Sequence, residues 1–173
     1  TVSYSQTVGM FELGAGVVQY TFPNSTITDV ADDGTETVSA YPGTVEVFAS
    51  VGVDVLLAPS LTVYYDVDEI EGFYAVASIG HSFALMDKVS LDLSTSLGFG
   101  DKEYNTGYFG YENAALNDLL LSASLPIAVT ENISVTPAIS YMMLPDSDLG
   151  DMAEAAYGDK DRVYGGVTLS CAF

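Results

Sequence analysis

His81 is the only histidine of this sequence and Cys171 its only cysteine. Nucleophilic catalysis needs a base within hydrogen-bond reach of a serine, and a carboxylate or amide to orient that base. Ser82 follows His81 directly, but neighbours on an extended strand point to opposite faces, so the two do not make a nucleophile and its base. No other Ser/His/Asp arrangement exists without His81, and a non-enzymatic protein is expected. His81 shares a face with Ile79 and Phe83, which suits a polar residue at an apolar boundary. Cys171 has no partner for an internal disulfide and sits among apolar neighbours, where a thiol serves packing.

The carboxylates are the other chemistry-bearing set: 24 Asp and Glu stand against four Lys and Arg, for a net charge of −20. That balance excludes ordinary nucleic-acid binding, which needs cations to neutralise phosphates, and a polybasic membrane-surface binder. Glu46, Asp54, Asp66, Asp68 and Asp92 fall on the polar side of alternating segments, with no basic residue on that side of the seven clearer ones. Unpaired carboxylates removed from water are costly, so these are expected to be wet, protonated or cation-bound. Along a passage they favour cations. Asp146-Ser147-Asp148 followed by Gly150-Asp151 resembles part of a calcium loop but lacks the twelve-residue ligand spacing and the closing Glu. No resident metal or cofactor is expected; divalent cations at the acidic loops are the sharper use of Asp146, Asp148 and Asp151. Tyr104, Tyr108, Phe109 and Tyr111 crowd one polar stretch, either as a contact patch or as residues folding back over the ends of the strands.

Eight segments with a period of two carry these residues: 11–22, 45–57, 61–68, 73–83, 89–99, 119–127, 133–143 and 163–173. In the second, Val45, Val47, Ala49, Val51, Val53, Val55 and Leu57 alternate with Glu46, Phe48, Ser50, Gly52, Asp54 and Leu56. Such alternation marks strands with two different environments on their faces. Long polar loops are expected at 23–42, 100–117 and 144–162, short turns at 58–60, 86–88 and 128–132, and a further short connection at 68–72. Pro137 interrupts the seventh segment and predicts a bulge. Residues 1–9 read as the tail of an earlier strand, with Gly9-Met10 as a turn; with no initiator Met or signal segment at Thr1, a mature form or a fragment is expected. One domain spans 1–173.

The last segment alternates to its end: Val163, Gly165, Val167, Leu169, Cys171 and Phe173 share one face, and Tyr164, Gly166, Thr168, Ser170 and Ala172 the other. A chain closing on Phe after such a pattern resembles the C-terminal signal of bacterial outer-membrane β-barrel proteins, with Tyr164, Val167, Leu169, Cys171 and Phe173 as the matching positions. The resemblance implies an all-β fold, an antiparallel up-and-down transmembrane β-barrel with at least eight strands in this chain, in the outer membrane. It implies the lipid bilayer and the barrel-assembly machinery as partners. Hydrophobic residues make up 49% of the chain, yet no stretch reaches the roughly 18 apolar residues of a membrane helix; a closed barrel is the remaining way to span a bilayer. The small Ser, Gly and Ala side chains suit a cramped interior. Tyr20, Phe22, Tyr65, Phe73, Phe83, Phe99, Tyr141 and Phe173 lie near segment ends, as interfacial girdles do. The expected function is porin-like passage of small or cationic solutes, or a structural envelope role. The alternatives are a plugged barrel displaying acidic binding loops, and a soluble lipocalin-like ligand-binding barrel.

Overall fold

The computed structural model describes residues 1–23, 26–30, 33–40 and 42–172. Its main element is one antiparallel sheet of ten strands. These are β1 (Val2–Val8), β2 (Phe11–Tyr20), β5 (Thr44–Val53), β6 (Ser60–Asp66), β7 (Phe73–Met86), β8 (Val89–Gly100), β9 (Ala115–Ser124), β10 (Ile127–Ala128), β11 (Ile133–Met143) and β12 (Asp161–Cys171). β3 (Thr26–Val30) and β4 (Glu36–Ala40) form a separate hairpin. Two helices, α1 (Lys102–Phe109) and α2 (Ser147–Tyr157), lie in the connections β8–β9 and β11–β12.

Each strand of the large sheet pairs with its sequence neighbour. β9 and β10 fill one position between β8 and β11 in a single register, Ser124 opposite Ala138 and Ile127 opposite Val135. The interruption falls at Leu125-Pro126, where proline withdraws a donor. Pro137 makes no bulge: β11 keeps one register against β12 from Ile133↔Cys171 to Met143↔Asp161. Its carbonyl accepts from Leu125 N–H at 2.9 Å, so the missing N–H faces the gap already opened by Pro126, and both prolines spend a single local irregularity.

Residues 1–9 hold a paired strand. Val2–Val8 pairs in full with β2, closed by the two-residue loop Gly9-Met10 with Gly9 at φ +64°, the backbone sign such hairpins require. β1 and β12 stand at the two edges, run in the same direction and are exposed along their whole lengths; among the described residues they do not pair with each other. The second segment ends at Val53 rather than Leu57, because Leu57 and Ala58 take positive φ values in the turn. Two of the long loops hold helices, and the first holds the β3–β4 hairpin.

The register carries the sequence alternation across all these strands. One face presents Val47, Leu61, Ile79, Leu93, Leu121, Ile139 and Val167; the other presents Glu46, Ser50, Thr62, Ser78, Ser94, Ser122, Ser140 and Thr168. Burial is inverted relative to a water-soluble protein. Ile139 is 57% exposed and Val167 70%, whereas Glu46 is 6%, Asp66 2% and Asn117 2% exposed. Hydroxyls bond across the polar face, Ser60 with Ser78 at 2.7 Å and Ser122 with Ser140 at 2.8 Å. Tyr65, Phe73, Phe99 and Tyr141 lie on the apolar face towards its loop end, and Phe83 towards its turn end. Tyr20 belongs instead to the polar face, opposite Thr44, and Phe22 follows the end of β2.

Candidate functional site

The polar side chains converge at the loop end of the polar face, under α1. Asp101 caps α1, its carboxylate accepting from Tyr104 N–H at 2.8 Å, and Gly110 ends it in the left-handed conformation, the pair of signals expected at a short helix. Asn105 and Asn117, both fully enclosed, lock the helix to the sheet. Asn117 donates to Asn105 Oδ1 at 2.7 Å and accepts from Gly100 N–H at 3.0 Å; Asn105 donates to the carbonyls of Gly100 and Asn113. Asn117 and Asp118 sit where the β8–β9 register shifts between Leu97 and Phe99, which lets consecutive residues both reach inward.

An aromatic series crosses the wall. Phe48 and Tyr64 lie 5.6 Å apart, Tyr64 and Tyr74 6.2 Å, Tyr74 and Tyr104 5.0 Å in a stacked pair, and Tyr104 and Tyr108 4.5 Å. Tyr104 and Tyr108 thus fold back over the polar face. Phe48 covers Gly16, where a Cβ would meet its ring at 2.7 Å. The Tyr74 hydroxyl donates to Asp118 at 2.6 Å and that of Tyr20 to Glu46 at 3.0 Å. Gly98 makes the first of these possible, since any Cβ there would collide with both partners. Burial first, then the neighbouring Tyr108, Glu46 and Asp118, hold the Tyr104 phenol above its ordinary pKa.

The five carboxylates expected along the polar face divide. Glu46, Asp66 and Asp92 lie on it. Asp54 follows the end of β5 and Asp68 the end of β6, both exposed in turns, so neither lines the sheet. Asp66 is committed to the β6–β7 turn: it accepts from Thr44 Oγ1 at 2.5 Å, Asp68 N–H at 3.0 Å and Ile70 N–H at 3.1 Å. Those donors offset the repulsion of Glu46, which stands directly opposite. Asp92 accepts from Ser90 near the turn end. The structure adds Glu12, opposite Gly52 on β2, and Asp118. In the first segment Phe11, Leu13 and Val17 compete with Val18, Tyr20 and Phe22, so the sequence does not fix the side of Glu12; Asp118 precedes the sixth segment, which the structure extends back from 119 to Ala115, and its register shift has no mark in the alternation. Arg162, second in β12, lies on the polar face, paired with Asp159 at 3.2 Å.

Asp146, Asp148 and Asp151 do other work. Asp146 caps α2, accepting from Asp148 and Leu149 N–H at 3.1 and 3.0 Å. Asp151 pairs with Lys160 at 3.1 Å, and it, then Glu154, holds that ammonium above its ordinary pKa. Among the described residues no group of three or more His, Cys, Asp or Glu is placed to hold a metal ion. His81 lies on the apolar face, opposite Leu93 and 4.6 Å from the Phe83 ring, while Ser82 faces Asp92 on the other side. In β12, Val167, Leu169 and Cys171 lie on the apolar face and Tyr164 on the polar one; Phe173 lies outside the described residues. No family model and no curated protein matches this chain.

Proposed function

We propose that the large sheet is wall of a β-barrel in the outer membrane of a diderm bacterium, and that small or cationic solutes pass along its acidic interior. One observation carries the reading: on the large sheet the aliphatic face is the exposed one, Ile139 at 57% and Val167 at 70%, while Glu46 and Asp66 on the other face are sheltered. A sheet meeting water on its apolar side would aggregate, whereas hydrocarbon makes the same side the stable one. The strands β5, β8, β11 and β12, at 10 to 12 residues, match the length of a tilted membrane strand. Apart from the short β6–β7 turn, the short turns lie at one end and the longer, acidic connections at the other, which supports placing the latter outside the cell. The same exposure disfavours a soluble lipocalin-like barrel, in which the aliphatic face would be enclosed.

A second reading rests on α1. Stacked on Tyr74 and locked by the asparagine pair, it covers part of the polar face and favours a plugged barrel displaying acidic loops. Extraction and planar-bilayer recording separate the possibilities. The proposal expects a protein that needs detergent and gives discrete, cation-selective conductance steps. A protein that stays in buffer without detergent overturns the membrane reading. A membrane-resident protein that conducts nothing overturns the passage and leaves the plug.

A further inference from the structure

The structure assigns a ligand site to the cavity of about 330 Å³ between α1, α2 and the loop ends of β9, β11 and β12; we propose that it takes a small amphipathic organic cation, an ammonium group on a short apolar body. The inference rests on the passage reading and names its solute class. Two helices roof the cavity: Phe109 meets Tyr157 edge-on at 6.3 Å, and the Tyr157 hydroxyl donates to the Tyr108 carbonyl at 2.7 Å. Met142 and Leu144 join these rings to make a mostly apolar wall, which a hydrated inorganic ion has no use for. A volume of this size matches the lower range of small-molecule sites, where a few polar groups set orientation.

Charge selects the ligand's sign. The two cations at the cavity are already neutralised, Lys160 by Asp151 and Glu154 and Arg162 by Asp159. Asp118 also lines it and forms no ion pair among the described residues; Asp161 reaches its edge, but its carboxylate turns with Tyr141 to the apolar face of the sheet. Asp118 accepts one phenolic hydrogen bond, from Tyr74 at 2.6 Å, on Oδ2. Its other oxygen is left for a donor. An ammonium group supplies both the charge and the donors, and its alkyl body buries against the apolar wall.

The test is calorimetric titration of the purified protein in detergent with ethyl-, butyl- and hexylammonium, against protein-free micelles. Affinity should rise about fourfold per methylene, the equivalent of about 0.8 kcal/mol. Asp118→Asn should weaken hexylammonium about tenfold or more, with the strand circular dichroism unchanged. Because Asp118→Asn also touches the Tyr74 contact, Tyr74→Phe, which removes that hydrogen bond and keeps the carboxylate, is the control and should keep the affinity. Affinity independent of chain length, hexanol binding as well as hexylammonium, or Asp118→Asn binding like the parent would overturn the site. Conductance of sodium with indifference to alkylammonium removes the site and keeps the passage. Alkylammonium binding by a protein that conducts nothing keeps the site and removes the passage.

Discussion

Replacing Ile139 by Lys tests the outward orientation of the apolar face directly. Ile139 is in the middle of β11, with Ala123 on one side and Gly165 on the other, so its side chain stands clear of its neighbours and is 57% exposed. Fully burying such a side chain is worth about 1.5–3 kcal/mol; scaled by that exposure, contact with lipid contributes about 1–2 kcal/mol. A Lys at mid-depth on the lipid face of a barrel adds about 2–4 kcal/mol of penalty. Residue 139 is four residues from the end of β11 at Met143, about 14 Å of extended chain, too far for the ammonium to escape to water. The expected destabilisation of Ile139→Lys is therefore about 3–6 kcal/mol, read by urea unfolding in lipid vesicles followed by circular dichroism. Ser140→Lys, one residue on and facing the polar side, loses its bond to Ser122 and should cost only about 1 kcal/mol. In water the ordering would differ, since an exposed Ile→Lys change stays within about 0.5 kcal/mol. An Ile139→Lys cost that small, or one below that of Ser140→Lys, refutes the orientation.

Three further outcomes concern the loop end. Asn117→Ala strands Gly100 N–H and Asn105 Oδ1 in an enclosed site, at about 2–4 kcal/mol for the two; amide exchange across 100–111 should accelerate about 30- to 900-fold, and unchanged protection would mean that the asparagines do not hold α1. Tyr104 has a raised pKa in the folded state, so its neutral form is favoured by folding: the stabilisation is fully present below the ordinary value of about 10 and is lost as pH climbs above it. Proteolysis of 101–114 should increase above that pH in the parent and lose this dependence in Tyr104→Phe; identical profiles would discard the phenol as the cause. Asp146→Ala removes the α2 cap at about 1 kcal/mol, raising exchange over 147–157 about fivefold, and calcium added to the parent should not slow it. Calcium protection there would restore Asp146, Asp148 and Asp151 as metal ligands.

Much of the sheet was legible because period two is a local property. Val45 to Val53 and Val163 to Cys171 state their alternation within a few residues, and the turns at 86–88 and 128–132 follow from where it stops. The helices were legible in principle: Asp101 with Gly110, and Asp146 with Gly158, bracket them, but polar stretches of 8 and 11 residues carry too little hydrophobic periodicity to declare a helix. The carboxylates were the harder case. Asp54 and Asp68 continue the parity of their strands in sequence, yet the chain turns before it reaches them, and parity loses meaning at a turn.

Local residue order alone determined the two-faced strands, the acidic balance and the separation of short turns from long connections, because each depends on side chains a few positions apart. Tertiary structure decided which groups meet: Asp118 with Tyr74 across 44 residues, Tyr20 with Glu46 across 26, and Tyr157 with the Tyr108 carbonyl across 49. Those contacts arise from strand register, one inward register shift and two helices folded onto the sheet. Each brings together atoms whose separation along the chain places no limit on their distance in space.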